Sequence, residues 1–114
     1  MTQTIVLAGA TGDLGKRIAR ALIERGAVVR ALVRHESDPS VARLSDMGAV
    51  ITPVQYRATA LARACEGATC VVSALSGLED TIVDAQSALL DAAIDAGCER
   101  FFPSDFANNK IASL

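Results

Sequence analysis

This chain lacks an excess of positive charge: 11 lysines and arginines stand against 13 aspartates and glutamates, for a net charge of −2. A surface that tracks a nucleic-acid backbone needs the reverse balance, so no direct nucleic-acid partner is expected. No uninterrupted apolar run approaches the roughly 18 residues of a membrane span, and the amino terminus has no charged segment leading into a sustained apolar one. Membrane insertion and secretion are therefore not expected, which leaves a soluble cytoplasmic protein. Cysteine is also scarce. Cys65, Cys70 and Cys98 cannot all pair with one another, and none lies in the C-x-x-C spacing of a zinc site or redox dithiol, so they read as packed thiols. Internal repeats, linkers and low-complexity segments are missing too. With 114 residues, 51% of them hydrophobic, the chain is sized for one core and one domain.

What is present is an alternation of short apolar runs rich in β-branched residues with stretches of helical period. Strands are predicted at about Thr4 to Ala8, Val28 to Val33, Ala49 to Pro53, Thr69 to Ala74, and Arg100 to Pro103. Most lack polar alternation, as strands covered on both faces do. Helices are predicted between them. The first carries Leu14, Ile18, Ala21 and Leu22 and ends near Gly26; the second runs from about Ser40, a candidate cap, to Met47, with Gly48 as its stop. A short third covers Leu61 to Cys65 before Gly67, and a fourth, roughly Glu79 to Ala96, repeats apolar residues at Ile82, Ala85, Leu89, Ala92 and Ala93 and stops at Gly97. The pattern predicts an α/β doubly wound parallel sheet of strand order 3-2-1-4-5, with a ligand crevice at the carboxyl ends of strands 1 and 4.

One motif falls on that crevice. Gly9-Ala10-Thr11-Gly12-Asp13-Leu14-Gly15 joins the first strand to the first helix, and such a turn offers unpaired backbone N–H groups and the positive end of a helix dipole to an anion, commonly a dinucleotide pyrophosphate. Gly9 turns the chain off the strand, Gly12 omits a Cβ that would hold the pyrophosphate away, and Gly15 lets the helix pack closely. The competing reading is a packed strand-to-helix turn that binds nothing. At the end of the second strand an acid would suit the ribose hydroxyls of NAD, whereas an arginine suits the 2′-phosphate of NADP. The chain has Arg34 there, then His35, and no acid before Glu36, so NADP(H) is expected in preference to NAD(H). A merely solvated Arg34 is the alternative. Arg30, inside the strand, reaches the same crevice only if the register allows it, and His35 reads as a loop residue.

Beyond the fifth strand, Ser104 and Asp105 are the polar candidates for catalysis: Ser104 to donate to a carbonyl, Asp105 to orient a water or a partner group. Capping and ordering of the loop is an equally good account of both. The sole tyrosine, Tyr56, lies after the third strand and outside any Tyr-x-x-x-Lys arrangement, so an ordinary short-chain-dehydrogenase proton relay is not present in these residues.

The glycine turn, the Val29-Arg30-Ala31-Leu32-Val33-Arg34 and Cys70-Val71-Val72-Ser73-Ala74-Leu75 strands, and above all Arg100-Phe101-Phe102-Pro103-Ser104-Asp105-Phe106 resemble the NmrA-like and isoflavone-reductase-like group of atypical short-chain dehydrogenases. The resemblance covers almost the whole chain. It implies a Rossmann domain binding NADP(H), with Gly9, Thr11, Gly12, Asp13, Leu14 and Gly15 around the pyrophosphate and Arg34 at the 2′-phosphate. It further implies Ser73, Ala74 and Leu75 along the crevice after strand four, and Pro103, Ser104 and Phe106 near the nicotinamide. Two departures stand out. Gln55-Tyr56 occupies the place where extended members of the group often have an Asp and an apolar residue near the adenine. Family members are also much longer, so residues 1–114 correspond to the cofactor-binding portion without the carboxyl-terminal substrate portion, and Lys110 does not map onto the catalytic lysine of the plant reductases.

Two functions fit. One is the cofactor domain of an NADPH-dependent reductase of a small carbonyl or conjugated substrate. The other is a non-catalytic redox-sensing module that binds NAD(P) and reports to a regulatory protein partner. An inert piece that self-associates through its last sheet edge and helix is a third possibility.

Overall fold

The computed structural model describes residues 2–75 and 79–103, with side chains left aside at 79–82. The elements run β1 (Thr4–Ala8), α1 (Asp13–Glu24), β2 (Val28–Val33), α2 (Pro39–Asp46), β3 (Val50–Pro53), α3 (Ala58–Cys65), β4 (Cys70–Ser73), α4 (Glu79–Asp95) and β5 (Arg100–Phe102). All four strand pairings are parallel, and the order is β3-β2-β1-β4-β5. The chain builds outward from β1 to one edge and then crosses to the other side, so the order reverses between β1 and β4. The neighbouring carboxyl ends part company there, and that is where doubly wound sheets open a crevice.

Pleating explains why the strands read as unbroken apolar runs. Val6, Ala8, Leu32 and Val71 face the α3 and α4 layer, where they meet Leu61, Cys65, Leu89 and Ala92. Their neighbours Leu7, Val29 and Ala31 face α1 and α2, against Ala19 and Leu44. Both faces are thus covered, and each fully buried leucine (Leu7, Leu44, Leu61, Leu89) contributes about 2 kcal/mol of transfer free energy. Outside these layers, Val83, Leu90 and Ile94 on α4 and Phe102 on β5 remain exposed.

Several local expectations are corrected. The cap of α2 is Asp38, whose carboxylate accepts from Ser40 N at 2.8 Å; Ser40 instead accepts from Lys16 Nζ at 3.2 Å. Pro39 sits in the first helical position, where its missing N–H costs nothing, and this sets the start one residue earlier than the expected Ser40. Helix α3 begins at Ala58, ahead of the expected Leu61; Ala58 and Thr59 are solvent-facing and therefore left no mark on the buried apolar pattern. On α1 the buried positions are Gly15 and Ala19, whereas Leu14 is 61% exposed. Arg30 does not reach the crevice. It points to the α3 layer and donates to the carbonyls of Ala64, at 2.9 Å, and Glu66, capping the end of α3.

Candidate functional site

A cleft of about 290 Å³ opens at the carboxyl edge of the sheet. Its floor is the glycine turn (Gly9, Thr11, Gly12). One side is the end of β2 and the loop after it (Leu32, Val33, Arg34, His35, Asp38) with Tyr56 from beyond β3, and the other is Leu75 after β4 with Ala85 of α4.

The three glycines of the turn differ in what holds them. Gly9 has φ +74°, and a Cβ there would lie 2.7 Å from Leu75 N and nearer still to the Ala74 carbonyl, so the backbone just after β4 leaves no room for one. A Cβ at Gly15 would lie 2.8 Å from Ala10 Cα and closer to the Gly9 carbonyl oxygen, so α1 rests directly on the turn. Gly12 is unlike both. Its φ of −75° and ψ of 169° suit any residue, and among the described residues beyond its chain neighbours the one atom near its Cβ position is Gly9 O at 3.5 Å. The described residues leave open the space that a side chain would occupy at Gly12. Gly12 also starts α1 with no side-chain cap, which leaves first-turn N–H groups of the helix without a side-chain acceptor.

On the opposite side, Arg34 leaves the end of β2 and its guanidinium carbon stands over the Tyr56 ring, 4.5 Å from the centroid. Tyr56 is half-buried against the α3 and α4 layer, and burial outweighs the favourable Arg34 charge, pushing the phenol up to about 12. It is neutral throughout the physiological range.

Of the residues expected at a cofactor site, Gly9, Thr11, Gly12, Arg34 and Leu75 line this cleft. Gly15, Ser73 and Ala74 are buried just behind it, the last packed on Gly9. Asp13 turns away, pairs with Arg17 at 3.1 Å on the surface and borders a separate groove between α1 and α2; Leu14 is exposed beside it. Pro103 follows β5, on the far side of β4, and is not part of the cleft lining. Ser104, Asp105 and Phe106 lie outside the described residues. The sequence reading missed Asp38, Ala85 and the meeting of Tyr56 with Arg34. Asp-Pro at a helix start was a usable signal for the first, and strand order for the last, since β2 and β3 are neighbours. The cysteines show no metal-binding grouping among the described residues. No helix among those residues is long and apolar enough to cross a membrane.

A five-stranded doubly wound parallel sheet with a glycine turn at its switch point defines a Rossmann-like α/β domain. The NmrA-like family model matches residues 1–113, and the chain belongs to that family. Among solved structures it resembles AtPrR2 with NADP+ and (+)pinoresinol, at 28% identity and a TM-score of 0.81 over 93% of this chain and 37% of that one. It is also similar to an isoflavone reductase, at 25% identity and a TM-score of 0.79 over 94% of this chain and 37% of the other. The NADPH-dependent quinone oxidoreductase QOR2 of Escherichia coli, complexed with NADPH, shares the fold at 23% identity, with a TM-score of 0.75 over 85% of this chain and 35% of that one. The chain thus spans little more than a third of the length of these relatives. No curated protein sequence matches it.

Proposed function

We propose that this chain is the NADP(H)-binding portion of an oxidoreductase that reduces a small carbonyl or conjugated substrate, with the substrate portion lying outside residues 1–114. The observation that carries the reading is Gly12. Nothing in its backbone angles or in the described residues around it requires glycine, yet a side chain there would enter the cleft between the start of α1 and Arg34. A ligand accounts for the residue, and an uncapped helix start beside it suits an anionic one. In this reading Gly9, Thr11, Gly12 and the first-turn N–H groups of Asp13, Leu14 and Gly15 hold the pyrophosphate. Arg34 takes the 2′-phosphate, and Ser73, Ala74 and Leu75 border the path toward Pro103, where the nicotinamide would lie. The nicotinamide supplies the hydride when bound. Ser104 is proposed to donate a hydrogen bond to the acceptor carbonyl, and Asp105 to orient a water or a partner group. That AtPrR2 was solved with NADP+ and QOR2 with NADPH supports the cofactor class.

A second reading is a redox sensor that binds the dinucleotide without turnover and reports to a protein partner; the cleft of Gly9, Thr11, Gly12 and Arg34 serves binding alone equally well.

Calorimetric titration with NADP+, NADPH, NAD+ and NADH tests both. The proposal expects NADP(H) to bind more tightly than NAD(H), with the difference lost in Arg34→Ala at a cost of tenfold or more, about what a charge-assisted phosphate contact provides. Absence of binding by all four overturns it. A large difference between oxidised and reduced forms, with no hydride loss to carbonyl or quinone acceptors, selects the sensor.

A further inference from the structure

Arg34 is the first residue after β2, exposed and long, and such a side chain loses much rotamer freedom when it clamps a ligand. The structure limits that freedom beforehand. Its guanidinium carbon lies 4.5 Å from the centroid of Tyr56, and Tyr56 is in turn packed against the core layer that contains Leu32, Val54 and Leu61. The ring is anchored from below, and Arg34 rests on it from above.

The choice of partner matters as much as the contact. Arg34 forms no ion pair among the described residues, where Asp13 and Arg17 make the one such pair. The acid in the cleft lining, Asp38, has its Oδ1 engaged by Ser40 N at 2.8 Å at the start of α2. An aromatic face meets a cation without hydrogen bonds and without neutralising it, so the N–H donors and full charge of the guanidinium stay available to an anion. A carboxylate in the place of Tyr56 would hold Arg34 as well, but would compete with a phosphate for it.

We infer that Tyr56 is a positioning residue for the dinucleotide: it holds the Arg34 guanidinium ready for a 2′-phosphate and so sets the size of the preference for NADP(H) over NAD(H). The inference rests on the cofactor reading above. Tyr56 touches the ligand's phosphate only through Arg34, which separates it from a platform for the adenine, a group that both dinucleotides share.

Calorimetric titration of the 114-residue chain with NADP+ and NAD+ is the test, applied to the parent, Tyr56→Phe, Tyr56→Leu, Arg34→Lys and the Tyr56→Leu/Arg34→Lys double variant. Tyr56→Phe keeps the ring and is expected to bind as the parent does. Tyr56→Leu is expected to weaken NADP+ about fivefold, the scale of a cation–π contact, with NAD+ changed less than about twofold. Arg34→Lys keeps the charge at an exposed position where folding is not at stake, and is expected to lower the NADP+ to NAD+ ratio and make it insensitive to Tyr56→Leu. Equal weakening of both dinucleotides by Tyr56→Leu, or an unchanged ratio, overturns the inference. So does a full effect of Tyr56→Leu in the Arg34→Lys background. If Tyr56→Leu does not fold, Tyr56→Met takes its place under the same criteria. A parent that binds NADP+ and NAD+ equally, or neither, overturns the cofactor reading itself and the inference with it, a result visible before any variant is measured.

Discussion

Helices α1 and α2 begin at the same edge of the sheet and border the same cleft, but they begin in opposite ways. At α2 the Asp38 carboxylate accepts from Ser40 N, and Pro39 removes one N–H from those that would need a partner. At α1 the cap position is Gly12, with no side chain to turn inward. The protein thus closes one helix start with a side chain of its own and gives the other no side-chain cap. An uncapped start alone teaches little, since α3 also begins without a side-chain cap. What distinguishes α1 is that its cap is a glycine in an ordinary extended conformation, beside open space and opposite an arginine.

The comparison can be broken in several places. The largest effect is expected at Gly15, which carries α1 on the turn. Gly15→Ala should destabilise the fold by about 3 kcal/mol or more, because its methyl meets backbone rather than a movable side chain. Urea unfolding measures this, and a loss under about 1 kcal/mol would show that α1 shifts freely.

Gly12→Asp gives α1 the kind of cap that α2 has. Stability should rise by a few tenths of a kcal/mol, while affinity for NADP+ falls by about a hundredfold, since a carboxylate would stand where the pyrophosphate is proposed. Unfolding and calorimetry on one sample separate the two responses, and unchanged affinity would remove Gly12 from the site.

The converse change, Asp38→Ala, should cost about 1 kcal/mol of stability and alter dinucleotide affinity less than about threefold. A much larger affinity loss would make Asp38 a binding residue and the comparison false.

The smallest effect is expected from pH, and it bears on the opposite layer. Burial pushes the Cys65 thiol up to about 11 and the Tyr56 phenol up to about 12. Both groups are held in their neutral forms, so the stability they confer is complete below their unfolded values, near 9 and 10, and is lost as pH rises through the folded ones. Thermal unfolding should be flat between pH 6 and 8, a window set about a unit below the lower unfolded value, and should fall steadily above about pH 9. A Cys65→Ala variant should show a shallower alkaline fall at the lower end of that range.

Much of the architecture was readable without coordinates because two periodicities carry it. Unbroken β-branched runs marked strands buried on both faces, and the glycine stops marked helix ends, so the observed elements fall within a few residues of expectation. Gly9, Gly12 and Arg34 could be assigned to one end of the sheet, where they line the cleft, for the same reason: each lies at the end of a recognisable strand or in the turn that follows it. Side chains that meet across the fold were harder. Asp38 and Ser40 are both good caps, and the local signal that separates them, Pro39 suited to the first helical position, is weaker than the apolar pattern that pointed to Ser40. Leu14 matches the apolar period of α1 and is nonetheless exposed, because the contact of Gly15 with the turn decides how the helix is seated.

The sequence by itself determined the order of strands and helices, the glycine turn and the arginine at the end of β2, since these follow from local period, backbone freedom and charge. Tertiary structure alone decided that Arg30 caps α3, that Gly12 has open space while Gly15 has none, and that Tyr56 lies beneath Arg34. Each of those depends on which residues distant in the chain become neighbours when parallel strands pair, and that proximity is set by packing the whole sheet rather than by any single segment.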